Sequence, residues 1–121
     1  DDKMIGKGRN QSIELNDPSA HAEIQALRKG GSRIGNYRLN GSKIYVTIEP
    51  CTMCIGALVH ARVEKLIFGA REPKSGAVAF ANDILEKNSF NHRFKVIGGV
   101  LEDECSKLIR NFFRARRNNQ C

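Results

Sequence analysis

With 121 residues, 40% hydrophobic and 27% charged, the chain has the length and apolar content of one small domain and no room for a second. Lysine and arginine number 20 against 13 acidic residues, a formal charge of +7, so its field attracts anions, of which nucleic acid is the commonest large one; charge alone does not identify the partner. No run of about 18 apolar residues occurs, Asp1-Asp2-Lys3 resembles neither a signal nor a transit peptide, and 4 cysteines are few for a disulfide scaffold, so the expected compartment is the cytosol.

In chain order, residues 3–9 (KMIGKGR) read as a strand entered from a turn at Asp1-Asp2, and the polar residues 10–17 as a loop. Pro18-Ser19 offer the start of a helix that runs to Leu27 or Lys29 and is stopped by Gly30-Gly31, with His21 and Glu23 in its first turn. Residues 43–48 (KIYVTI), rich in β-branched and aromatic side chains, predict a strand that ends at Glu49-Pro50. A helix over 52–62 follows, turning Met53, Ile55, Leu58 and Val59 toward a core. Residues 65–70 (KLIFGA) are a strand, 71–79 a loop, 80–87 a short helix and 94–97 a short last strand. The final helix spans 101–117 with Leu101, Cys105, Leu108, Ile109 and Phe112 on one stripe, Cys105 being read as a buried thiol; a frayed tail covers 118–121. Alternating strands and helices imply a parallel or mixed sheet covered on both faces, an α/β protein with a three-layer α/β/α sandwich.

The chemistry lies in His21-Ala22-Glu23 and Pro50-Cys51-Thr52-Met53-Cys54. A hydrolytic zinc site takes three protein ligands and leaves one position for water, and His21, Cys51 and Cys54 supply three. Two cysteines three apart at a helix start face the same side, where the helix dipole favours thiolates; Pro50 suits a corner that needs no amide donor. Glu23 is then a carboxylate available to shuttle protons. A structural zinc ribbon would need a second Cys-x-x-Cys, which the sequence lacks. His60 reads as a packing or surface residue, and His92 as facing either substrate or solvent. The cluster Arg110, Arg114, Arg116 and Arg117 beside Phe112 and Phe113 fits a solvated helix face and a phosphate-binding strip equally.

Three blocks carry a resemblance: Asp17 to Ile24 (DPSAHAEI), Thr47 to Ala57 (TIEPCTMCIGA) and Phe68 to Ala77 (FGAREPKSGA). They resemble the bacterial tRNA-specific adenosine deaminases, the TadA type, within the cytidine deaminase superfamily. Asn91-His92-Arg93 and the closing stretch from Asp103 to Arg114 strengthen the likeness, which runs from about residue 3 to residue 117. The resemblance implies one zinc-dependent deaminase domain over 1–117, with a cytidine deaminase-like mixed sheet, that converts the wobble adenosine of a tRNA anticodon to inosine. Glu23 would pass a proton from the attacking water to N1 of adenine and return one to the departing ammonia. It further implies Asn10, Ala22, Glu72, Lys74, Phe113 and Arg116 as substrate contacts, Glu72 standing where Asp is commoner in the family. Arg71 would meet RNA backbone or flanking bases beside Lys74.

A homodimer built on the helix at 52–62 and the strand after it is implied as well. So are an N-terminal helix and a first strand ahead of residue 3; the chain is expected to be an N-terminally truncated form, with the strand at 43–48 left with an unpaired edge. Two other readings compete: a deaminase of free guanine, cytosine or nucleotides from the same superfamily, and a noncatalytic zinc-stabilised RNA-binding subunit. Glu23 argues against the second, since a subunit without chemistry has no use for that carboxylate.

Overall fold

The computed structural model describes residues 3–72, 76–77 and 94–119, with 113–119 described by their backbone alone. Its elements are α1 (Ala22–Ile34), β1 (Lys43–Ile48), α2 (Thr52–Ala61), β2 (Lys65–Ala70), β3 (Lys95–Ile97) and α3 (Glu102–Asn119). The described strands form one sheet in the order β1-β2-β3, and both pairs are parallel. Parallel neighbours need a crossover, and α2 provides it between β1 and β2. Among the described residues β1 pairs with β2 only.

Register assigns the faces. Ile44 lies beside Leu66 and Val46 beside Phe68, while Leu66 also neighbours Val96. These side chains join Ile55, Leu58, Val59, Val63 and Phe94 in the core, with α1 packed on α2 and β1. Alternation turns Gly69 to the opposite face, where α3 crosses β2 so closely that a Cβ on Gly69 would collide with the Cys105 thiol. The layers are therefore α1 with α2, the sheet, and α3, as the alternation of elements predicts.

β1 and β2 have their predicted bounds, and α2 ends one residue early, at Ala61, where Arg62 takes a left-handed φ of 62°. Other segments differ. Residues 3–9 form no strand; they run against α1 so tightly that a Cβ on Gly6 or Gly8 would meet α1 backbone at 2.8 and 2.5 Å. Pro18-Ser19 belong to a turn, because the Asp17 carboxylate takes both the N–H and the hydroxyl of Ser19, at 2.9 and 2.7 Å. α1 passes through Gly30-Gly31 and ends at Gly35, whose φ is 77°. A Cβ on Gly30 would sit 3.3 Å from Leu39 and 3.4 Å from Ile5, so this bare position permits close packing that offsets its cost of about 1 kcal/mol in helix propensity.

On α2, Ile55, Leu58 and Val59 are buried, whereas Met53 lies off that stripe and is 39% exposed. The stripe predicted for the last helix is only partly covered: Cys105 and Ile109 are half-buried, while Leu101, Leu108 and Phe112 are exposed. One side of an 18-residue helix meets the described three-strand sheet here, and the apolar residues on its outer side stay exposed to solvent. α3 continues to Asn119 rather than Arg117. The predicted helix at 80–87, with Lys74, His92 and Cys121, lies outside the described residues.

Candidate metal centre

Both helices that begin at this end of the sheet start on a candidate ligand. His21 is the N-cap of α1 and Cys51 the N-cap of α2; each has extended backbone angles, and neither spends its side chain on the cap. Their carbonyls accept the first helical bonds, from Gln25 and Ile55, both at 3.0 Å. Imidazole and thiol are thus left free, and Cys54, fully buried in the first turn of α2, completes the set.

Nδ1 of His21 lies 3.6 Å from the Sγ of Cys51 and 3.6 Å from the Sγ of Cys54. Zinc bonds of about 2.3 Å to sulfur and about 2.0 Å to nitrogen, opened to a tetrahedral angle, require a separation of about 3.5 Å, close to the distances found. Among the described residues these three donors form the group able to hold a cation, all within 4.8 Å of one another. The donor set therefore fits zinc. Burial, with Glu23 and Cys51 nearby, pushes the Cys54 thiol well above its ordinary range, so a proton holds the sulfur until a dication displaces it.

Glu23 is 9% exposed, lies outside the donor group and faces Cys54 closely enough to bear on its thiol. Zinc held by the three donors would leave room for a water, and Glu23 would then be the buried carboxylate beside it. The segment before α1 is tied to this end of the helix: the Gln11 N–H donates to the Ala20 carbonyl at 2.8 Å, and the Gln25 amide donates to Gln11 Oε1 at 2.9 Å. Asn10, next to Gln11, is exposed, with its Oδ1 accepting the Ser12 N–H at 3.0 Å. Ala22 is half-buried between the two site residues. Across the corner, Glu72 is half-buried, and its N–H donates to Glu49 Oε1 at 3.0 Å. The Arg71 guanidinium stands 5.7 Å from the centre of the Phe68 ring.

The structure thus brings together His21, Cys51, Cys54 and Glu23, with the Asn10 segment braced to the residue before His21. Phe113 and Arg116 are placed as members of α3, and exposed His60 stands near the far end of α2. Gln11, Gln25 and Glu49 escape a sequence reading. Their signal is only that of polar residues adjoining the motifs; their partners are through-space.

Comparison with known proteins agrees with this geometry. The sequence pattern of the MafB19-like deaminases matches residues 1–117. The tRNA-specific adenosine deaminase of Haemophilus influenzae is 48% identical over 117 residues, covering 97% of this chain and 68% of that protein. That of Bacillus subtilis is 44% identical over 118 residues, covering 98% and 73%. A structure solved in a study of A-to-I editing by tRNA:A34 deaminases at the wobble position superposes with a TM-score of 0.82 at 39% identity, covering 88% of this chain and 78% of that one. The chain belongs to the MafB19-like deaminases, among the tRNA-specific adenosine deaminases.

Proposed function

We propose that this protein hydrolytically deaminates the wobble adenosine, position 34, of a tRNA anticodon to inosine. The observation that carries the reading is a His21, Cys51 and Cys54 triad at tetrahedral spacing with a buried carboxylate, Glu23, beside it. Its 48% identity with an enzyme named for that substrate selects adenosine in tRNA over a free base.

A bound zinc ion would lower the pKa of water to about 7 and so supply hydroxide at neutral pH. Glu23 takes a proton from the attacking water and delivers it to N1 of adenine, which makes C6 electrophilic. The oxygen adds to C6. Glu23 then moves the second water proton from the oxygen now on C6 to the exocyclic amine, the C6–N bond breaks, and ammonia leaves with inosine, its C6 a carbonyl and its N1 protonated, as product. Desolvation of Glu23 keeps its proton moving between the reacting atoms rather than to bulk water.

An anticodon loop is single-stranded, so its base enters a pocket at little unstacking cost. We assign Asn10 and Ala22 to the flipped nucleoside, Glu72 to the channel wall, and Lys74, Phe113 and Arg116 to flanking bases and phosphates. The enzyme works as one domain over 1–117 in the cytoplasm. We further assign it a homodimer through α2, in keeping with exposed Met53 and a groove lined by Leu27, Tyr37, Ala57 and His60.

The test is inosine formation at the wobble position of an ACG anticodon stem-loop by the zinc-loaded protein. Product that disappears in Glu23→Ala is expected. A folded, zinc-loaded protein that binds the stem-loop and leaves adenosine intact would overturn the reading, and deamination of free guanine instead would replace it.

A further inference from the structure

Glu49 stands between β1 and the metal corner, and the chain leaving β2 folds around its side chain. Its N–H donates to the Ala70 carbonyl at 2.8 Å, extending the β1–β2 ladder by one bond. Its Oε1 accepts the Glu72 N–H at 3.0 Å. The Gly76 N–H returns to the Glu72 carbonyl at 3.0 Å, and the Ala77 N–H donates to the Pro50 carbonyl at 3.0 Å. A Cβ on Gly76 would lie 2.5 Å from the Glu49 carboxyl carbon and 2.5 Å from Oε1, so position 76 closes directly onto that carboxyl. Ala77, at 4% exposure, then enters the core. Both ends of the excursion are thus tied to Glu49-Pro50, the pair that leads into the ligand Cys51.

We propose that Glu49 is a positioning residue for substrate: its carboxylate anchors the chain at Glu72, with Gly76 packed closely against it beside the metal corner, and so sets where Glu72 faces the nucleoside. A carboxyl suits this role because its side chain has the reach to offer an acceptor oxygen to a backbone N–H in the segment that leaves β2. Gly76 suits it because any side chain would displace the anchor. The inference rests on the assignment of Glu72 to the substrate channel, and it separates the two sides of the site: Cys51 holds metal, and Glu49 holds the wall opposite.

The experiment compares wild type, Glu49→Ala and Glu49→Gln in zinc content, melting temperature, amide hydrogen exchange at Glu72 and Ala77, and steady-state kinetics on the stem-loop. Glu49→Ala should keep full zinc, exchange faster at both amides, and raise KM by roughly tenfold with little change in kcat, the loss of one hydrogen bond. Glu49→Gln keeps an acceptor oxygen of the same reach and should restore most of the protection and the KM. Unchanged amide exchange in Glu49→Ala overturns the anchoring, even if the wild type proves inactive on RNA. Faster exchange with unaltered KM overturns the substrate role, and zinc lost together with activity would make Glu49 part of the metal corner instead. Inactivity of the wild type on the stem-loop would instead fault the deaminase reading.

Discussion

The two helical layers of this small sandwich bury their apolar side chains unequally. α2 buries Cys54, Ile55, Leu58, Val59 and Ala61, whereas α3, whose backbone lies close over β2, leaves Leu108 62% and Phe112 53% exposed, with Cys105 and Ile109 half-buried among its described side chains. Among the described residues every candidate metal ligand comes from the first layer, at the start of α1 or of α2. A metal site tolerates errors of only a fraction of an ångström, so its ligands sit where packing locks the backbone. Among the described residues the α3 layer contributes no candidate ligand, and its charged side chains up to Arg110 face solvent.

That contrast can be broken from the largest effect downward. Glu23→Gln should lower kcat on the stem-loop by about 10²- to 10⁴-fold, the usual worth of a general acid-base group, with zinc still bound; a mild loss would move the proton transfers elsewhere. Zinc removal by a chelator should abolish turnover, and zinc affinity should weaken as pH falls, because each thiol must release a proton to bind and burial raises that of Cys54. Competition titrations with a metal indicator at two pH values measure this; a pH-independent affinity would rule out thiolate ligation.

Stability separates the layers next. Leu58→Ala, at a fully buried site, should cost about 2–5 kcal/mol in denaturant melts, and Leu108→Ala about 0.5 kcal/mol or less. Equal losses would mean that α3 is as deeply embedded as α2. Gly69→Ala tests the junction: a methyl driven into Cys105 should cost about 1–3 kcal/mol and leave zinc content intact. The smallest effect belongs to the outer side of α3, where Arg110→Ala should reduce the salt slope of stem-loop affinity by about 0.7; an unchanged slope marks a merely solvated face.

Much of this was legible locally. β1 and β2 follow from runs of β-branched and apolar residues, and α2 from Pro50 and the stripe through Ile55, Leu58 and Val59. The ligand set was legible because zinc demands particular atoms at particular spacings. The start of α1 was not, since Pro18-Ser19 carry the ordinary signs of a helix start and only the Asp17 carboxylate turns them into a separate turn. Its passage through Gly30-Gly31 was not either, because the contacts of Gly30 with Leu39 and Ile5 come from other parts of the chain. Exposure of Met53, Leu108 and Phe112 depends on what each helix meets, which periodicity does not encode.

The amino-acid sequence by itself determined the chemical inventory, the family and the alternation of strands and helices, because donor type, motif spacing and residue periodicity are local quantities. Tertiary structure alone decided that His21, 30 positions before Cys51, would stand 3.6 Å from its sulfur, and that Glu49 would hold the chain beyond β2. Those are distances between residues far apart in the chain. They are set by parallel pairing and by the packing of α1 on α2, in which many small contacts act together and no single residue announces the result.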